Sequence, residues 1–100
     1  MNGKTEVESG ETKKPSLSVV ITSYNDGGHL PACLSSLQAA AAGIEAEVIV
    51  VDNHSEDGSV ELIQSSFPWV RLIRNDENFG YSRANNAGYR ESQGGFILFL

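Results

Sequence analysis

A chain of 100 residues, 40% of them hydrophobic, is long enough for at most one domain and buries only about 65% of its unfolded surface, so little of it is spare. Its apolar runs fall far short of the ~20 residues a membrane-spanning helix needs, and a formal net charge of -6 repels polyphosphate backbones, so no nucleic acid is expected as a partner. A single cysteine, Cys33, and an opening without the secretory pattern favour a reducing cytoplasm.

Residues 1–16 hold all three lysines and three of the glutamates with almost no apolar residue, and they read as a disordered polar tail ending just after Pro15. The folded part, 17–100, carries four arginines against ten acidic residues. Its first run, 17–21, is apolar apart from Ser18 and β-branched at three places, as suits a strand buried on both faces. Gly27 and Gly28 break the chain. Leu30, Cys33, Leu34, Leu37 and Ala41 then recur at helical spacing, with Pro31 preset for a first turn and Gly43 suited to the stop. A second strand, 46–51, leads to a helix with Ser59 as its expected cap, Val60, Ile63 and Phe67 on one face, and Pro68 as its terminator. The run 70–74 is a shorter strand whose charged ends suit a sheet edge, 82–91 a third helix, and 96–100 a fourth strand after the Gly94-Gly95 turn.

Strand centres roughly 25 residues apart match the length of a strand, crossover helix and return. The expected fold is therefore α/β, a three-layer, doubly wound, mainly parallel sheet in the order β-α-β-α-β-α-β along the chain. Right-handed crossovers bring the carboxyl ends of the strands and the amino ends of the helices to one edge, where ligands bind.

Every loop on that edge is polar and glycine-bearing: 22–27, 52–58 and 75–81. Such residues also favour turns for local reasons. Asp52 is the sharpest of them, because it follows Val48, Ile49, Val50 and Val51 at a buried strand's end, where desolvation penalises a carboxylate without donors. A ribose hydroxyl or a base N–H is one such donor; the N–H groups of its own loop, in an Asx turn, are the alternative. Tyr24 offers a flat apolar face with a polar tip, suited to stacking on a nucleobase or to ordinary packing. His29 and His54 lie in loops without clustered ligands and read as surface residues. Trp69 reads as a packing or partly exposed edge aromatic.

The run from Ser18 through Val19, Val20, Ile21, Thr22, Ser23 and Tyr24 to Asn25, the run 47–53 with Ser55, Asp57 and Gly58, then Asn78-Phe79-Gly80, Asn85-Asn86-Ala87-Gly88 and 95–100 together resemble family 2 glycosyltransferases, with a bacterial, rhamnosyltransferase-like branch as the nearest. The likeness covers essentially all of 17–100, and four motifs in order are far more specific than any one. It implies a sheet of the GT-A type, cut after the fourth strand, and a nucleotide-diphospho-sugar donor bound on the loop edge. The sugar would pass with inversion to an acceptor sugar or lipid-linked glycan in cell-surface polysaccharide or glycoconjugate synthesis, in the cytoplasm or against the inner face of the membrane.

Carried over by position, the resemblance makes Thr22 and Tyr24 base contacts and Asp52 the aspartate that bonds the base or ribose, with Asn25, Asn53 and Asp57 beside them. Gly80 falls where some relatives carry a diphosphate-side residue, so its backbone N–H is a candidate substitute. Asn85 and Asn86 match the helix signature, either touching the ligand or holding the loop. The diphosphate needs positive charge, for which the helix amino ends near Ser59 and Ser82, Arg83, and a divalent metal (Mg or Mn) are the sources. The family's acidic metal motif and its catalytic base follow the fourth strand, beyond Leu100. The chain is therefore expected to be an amino-terminal fragment, inactive in sugar transfer by itself, and to fray or self-associate through the exposed sheet edge. Two rivals share the pattern. One is a nucleotide-sugar-binding module without catalysis. The other is a phosphoacceptor signalling receiver, which wants an acidic pair after the first strand and a later lysine, both missing from 17–100.

Overall fold

The computed structural model describes residues 14–100. Most of the expected tail lies outside the described residues, but its last member is already part of the sheet margin: Ser16 donates its N–H to the Glu45 carbonyl (2.7 Å) and accepts the N–H of Phe96 (3.1 Å).

Four strands and three helices alternate as the hydrophobic runs demand: β1 (Leu17–Ser23), α1 (Leu30–Ala40), β2 (Ala46–Asp52), α2 (Ser59–Ser66), β3 (Arg71–Arg74), α3 (Tyr81–Glu91) and β4 (Phe96–Phe99). All pairings are parallel, in the spatial order β3-β2-β1-β4. The chain steps outward from β1 to β3, then returns to the other side of β1. That reversal makes the junction of β1 and β4 a topological switch point, and ligands of such sheets bind outside the strands' carboxyl ends.

Strand alternation sorts the core into two layers. Val19, Ile21, Val48 and Val50 face Leu30 and Leu34 of α1 and Ile63 of α2. Val20, Ile49 and Val51 face Ala84 and Ala87 of α3. Both faces of β1 and β2 are thus covered, which is why these runs are continuously apolar rather than alternating. At the amino ends of the strands a polar latch ties the layers: Ser18, fully buried, donates to Glu47 Oε2 (2.6 Å) and accepts the Gly94 N–H (2.8 Å), while Glu47 Oε2 also accepts the Gln93 N–H (2.6 Å).

Several boundaries differ from expectation, each for a local reason. β1 and β2 run on to Ser23 and Asp52 because the ladder continues past the apolar run: Asn53 N–H bonds the Ser23 carbonyl and Asn75 N–H the Asp52 carbonyl, both at 2.8 Å. β3 starts at Arg71, since the N–H of Val70 closes a turn onto Phe67 (3.0 Å). Ser59 is the first helical residue rather than the cap of α2. Gly58 holds the cap position at φ 85°, and Asp57 Oδ1 accepts the Ser59 N–H at 3.0 Å. β4 is an outer strand, and it leaves Phe96 78% exposed, with Leu98, Phe99 and Leu100 also open to solvent.

Candidate functional site

Three loops rise from the carboxyl edge, and side chains bond them into a single rim. Asn25, with its backbone in the left-handed region at φ 50°, donates its N–H to Ser55 Oγ and accepts the Glu56 N–H through Oδ1, both at 2.8 Å. Gly27 N–H donates to Asp57 Oδ2 at 2.9 Å. These bonds join the loop after β1 to the loop after β2. Asn53 joins the second loop to the third: its Nδ2 donates to the Gly80 carbonyl (3.1 Å), and its Oδ1 accepts from Asn75 Nδ2 (2.9 Å) and from the Phe79 N–H (3.4 Å).

Asp52 lies at the centre of this rim, in register with Ser23 on one side and Arg74 on the other. Only 2% of it is exposed. Its Oδ2 accepts the Ser55 N–H at 2.8 Å, so the Asx turn is real. Its Oδ1 is buried and has no hydrogen-bond partner among the described residues, and neither has Ser23 Oγ beside it. One carboxylate oxygen therefore holds the loop while the other is an unsatisfied acceptor. A buried charged acceptor without a donor costs more than the usual ~1–3 kcal/mol of an orphaned polar group, which strongly favours any ligand that brings an N–H or O–H to it. Asp52 thus makes the Asx turn with one oxygen and leaves the other without a partner among the described residues.

The remaining expected contacts divide into open and occupied groups. Tyr24 is open, 53% exposed at the rim. Thr22 donates its hydroxyl to Asn85 Oδ1 at 2.7 Å, so its remaining capacity is as an acceptor, and Asn85 serves to pin α3 to the end of β1. Asn25, Asn53 and Asp57 bond protein loops as described. Gly80, at φ 85° and ψ 170°, occupies a region of backbone space essentially limited to glycine. Its N–H already donates to Asn78 Oδ1 at 2.9 Å, which corrects the expectation that this amide is free for a diphosphate. The amino end of α2 is likewise taken, by the Asp57 carboxylate. Arg83 is exposed, and its guanidinium lies 4.4 Å over the Phe79 ring, a cation–π contact that holds its charge at the third loop.

Asp57 has the one clear electrostatic signature. The Ser59 hydroxyl beside it, though poorly aligned for a bond of its own, and then the Gly27 N–H hold its carboxyl below the usual carboxylate value. A carboxyl whose folded pKa is depressed adds stability above its unfolded value and loses it as pH falls through the folded one. In an NMR titration of the chain, the Gly27 amide resonance should therefore report a midpoint below that of an unperturbed aspartate. A midpoint at or above that value would contradict the bond.

His29 is exposed and its Nδ1 meets Asp26 Oδ1 at 2.8 Å; His54, at φ 73°, lines a shallow depression of about 320 Å³ with Arg74, Asn75 and Asp76. Trp69 is partly exposed and meets Phe67 edge to face, with ring centroids 6.1 Å apart. Among the described residues no three of His, Cys, Asp or Glu gather as a metal site; the resemblance places the divalent ion's ligands after β4. The sequence assigned no site role to Ser23, Asn75 or Asn78. Ser23 acquires meaning only from its register with Asp52, Asn75 from the bond it gives to Asn53 of the second loop, and Asn78 from the Gly80 N–H it accepts within its own loop.

Residues 18–100 match the family described as Glycosyl transferase family 2. An uncharacterized glycosyltransferase of Haemophilus influenzae is 40% identical over 84 residues, which cover 84% of this chain and 28% of that protein. An undecaprenyl-phosphate 4-deoxy-4-formamido-L-arabinose transferase of Aeromonas hydrophila is 38% identical over 93 residues, covering 84% of this chain and 28% of that one. Among solved structures, the mannosyltransferase PcManGT of Pyrobaculum calidifontis, in complex with GDP-Man and Mn2+, shares the fold with a TM-score of 0.69 at 24% identity, over 86% of this chain and 27% of that one. The chain thus spans a little over a quarter of the length of the relatives it matches. With a family match that runs from Ser18 to Leu100 on a parallel α/β sheet of the GT-A type, this chain belongs to glycosyl transferase family 2.

Proposed function

We propose that this chain is the donor-nucleotide-binding part of an enzyme that moves a sugar from a nucleoside diphosphate to an acceptor hydroxyl. The observation that carries the proposal is Asp52 Oδ1, a buried carboxylate oxygen with no donor among the described residues, at the end of a central strand and beneath a rim that bears an exposed tyrosine. A nucleoside supplies what both groups lack: an N–H or hydroxyl for Asp52 and a flat ring for Tyr24. In the transfer, the bond between the anomeric carbon and the distal phosphate breaks as the acceptor oxygen attacks from the opposite face. The nucleoside diphosphate leaves with the bonding electrons, and the acceptor proton passes to a base.

This chain's residues bind and orient the donor. The base and the ligands of a divalent ion, Mg2+ or Mn2+, belong to the part of the protein after Leu100; that ion would offset the charge that the diphosphate adds to an acidic domain. An acceptor on a cell-surface or lipid-linked glycan, and a cytoplasmic place of work, are part of the same proposal, supported by the Aeromonas relative's name and by the single cysteine.

Calorimetric titration of the chain with uridine, thymidine and guanosine diphosphates tests the proposal. Saturable binding of at least one is the expected result; no binding by a chain with dispersed amide resonances would overturn it. A non-catalytic binding module would bind equally well, and assay of the full-length protein for donor-dependent glycosylation separates the two.

The proposal extends to β4. Its outer edge and the exposed Phe96, Leu98 and Phe99 present unpaired backbone and apolar surface, the combination that recruits a further strand. Sedimentation of the isolated chain should show concentration-dependent association, which Leu98→Lys reduces by placing a charge on that edge. A monomer at every concentration would count against it.

A further inference from the structure

We infer that Asp57 is a positioning residue, a clasp that presets the loop after β1 against the loop after β2 so that Tyr24 and Asp52 face a ligand as one unit; the inference rests on the nucleotide-binding reading of that rim. Both Asp57 oxygens are engaged by backbone N–H groups from different places, Oδ2 by Gly27 of the first loop and Oδ1 by Ser59 at the start of α2. A residue that touched the donor would be expected to keep an oxygen for it. This one ties the Gly27 backbone, 30 positions before it in the chain, to the start of α2.

The bond is one of three across the same gap. Asn25 gives its N–H to Ser55 and takes that of Glu56, and its left-handed backbone turns both groups toward the second loop. Tyr24 lies between this clasp and Ser23, whose backbone is locked in the ladder opposite Asp52. Its ring is more than half exposed, so packing does little to place it. What places it is the anchored backbone on either side. Because Ser55 also gives its own N–H to Asp52 Oδ2, the clasp runs without a break from the loop that carries the aromatic ring to the carboxylate itself.

The test pairs hydrogen exchange with calorimetry on this chain and two variants, using uridine and guanosine diphosphates as probes. In Asp57→Ala, which removes both bonds, amides 24–28 should exchange about tenfold faster while those of β1, β2 and α3 keep their rates, as the loss of a charge-assisted bond predicts. Every nucleotide that binds should weaken by a similar factor, also about tenfold, because the competent loop is less populated and the base is not being read. Asp57→Asn keeps one acceptor oxygen and should fall between wild type and Asp57→Ala; it carries the test if the alanine variant does not fold. Unchanged exchange in the loop overturns the inference, and unchanged exchange with lost affinity would make Asp57 a ligand contact instead. If the loop loosens but the wild-type chain binds neither nucleotide, the clasp stands and the nucleotide-binding reading is what fails.

Discussion

Gly88→Ala should destabilise the chain by about 2 kcal/mol or more, a large share of the ~5–15 kcal/mol that a small domain has. A Cβ at this position would lie 2.4 Å from Val20 Cγ1 and 3.1 Å from Val51 Cγ2. Both valines are fully buried, and both are β-branched, with few alternative rotamers. Neither can give way, so α3 must lift from the sheet. Overpacking of this kind costs about 1–3 kcal/mol or more, against a gain of ~1 kcal/mol from replacing glycine inside a helix. At 2.4 Å the clash is severe enough that the first effect wins. The melting temperature should fall by roughly 10 °C, and Gly28→Ala, whose Cβ would meet nothing within 4 Å, should leave it nearly unchanged. Lifting α3 also draws Asn85 from Thr22, so the variant links a packing defect to the rim. Equal stability of Gly88→Ala and wild type would mean that α3 does not sit this close to the sheet.

The four strands and three helices were legible because they are written in local periodicity: continuous apolar runs for β1 and β2, helical spacing for α1, Pro68 and the glycines as punctuation. The switch from one sheet face to the other follows from alternation within those runs. The rim was only partly legible. Asp52 was found because a carboxylate after four buried aliphatic residues is anomalous wherever the strand sits. Asn25, Asn53 and Asp57 were expected as donor contacts, yet each is bonded to another loop, and nothing in their own segments reveals that. Their partners are about 30 positions away in the case of Asn25 and Asp57, brought near by a register that periodicity does not encode. Asparagine and aspartate serve turns, caps and ligands with the same atoms, so composition alone cannot distinguish a rim that binds from one that braces. Gly80 shows the same limit. Its place in the motif was readable, but neither its glycine-only backbone nor the bond that takes its N–H to Asn78 was.

Asp52→Asn should weaken nucleoside diphosphate binding tenfold to a hundredfold, on the order of 1.5–3 kcal/mol for the loss of a charge-assisted hydrogen bond, without lowering the stability of the free chain. The substitution preserves shape and leaves one carbonyl oxygen to accept the Ser55 N–H, so the Asx turn survives. What changes is the second position. There the unsatisfied Oδ1 is replaced by an amide that donates, facing a ligand that also donates, and attraction becomes repulsion. The free protein, by contrast, is relieved of a buried charge with too few partners, and such a change is neutral or stabilising when the geometry is kept. Binding and stability should therefore move in opposite directions, which is the mark of a group whose strain is relieved by its ligand. Asp52→Ala cannot show this, because it also releases Ser55 and with it the loop. Chemical denaturation and calorimetry on the same asparagine variant decide the matter: unchanged affinity would leave Asp52 as loop architecture, while a loss of stability equal to the loss of affinity would show that the loop, not the carboxylate oxygen, was what the ligand required.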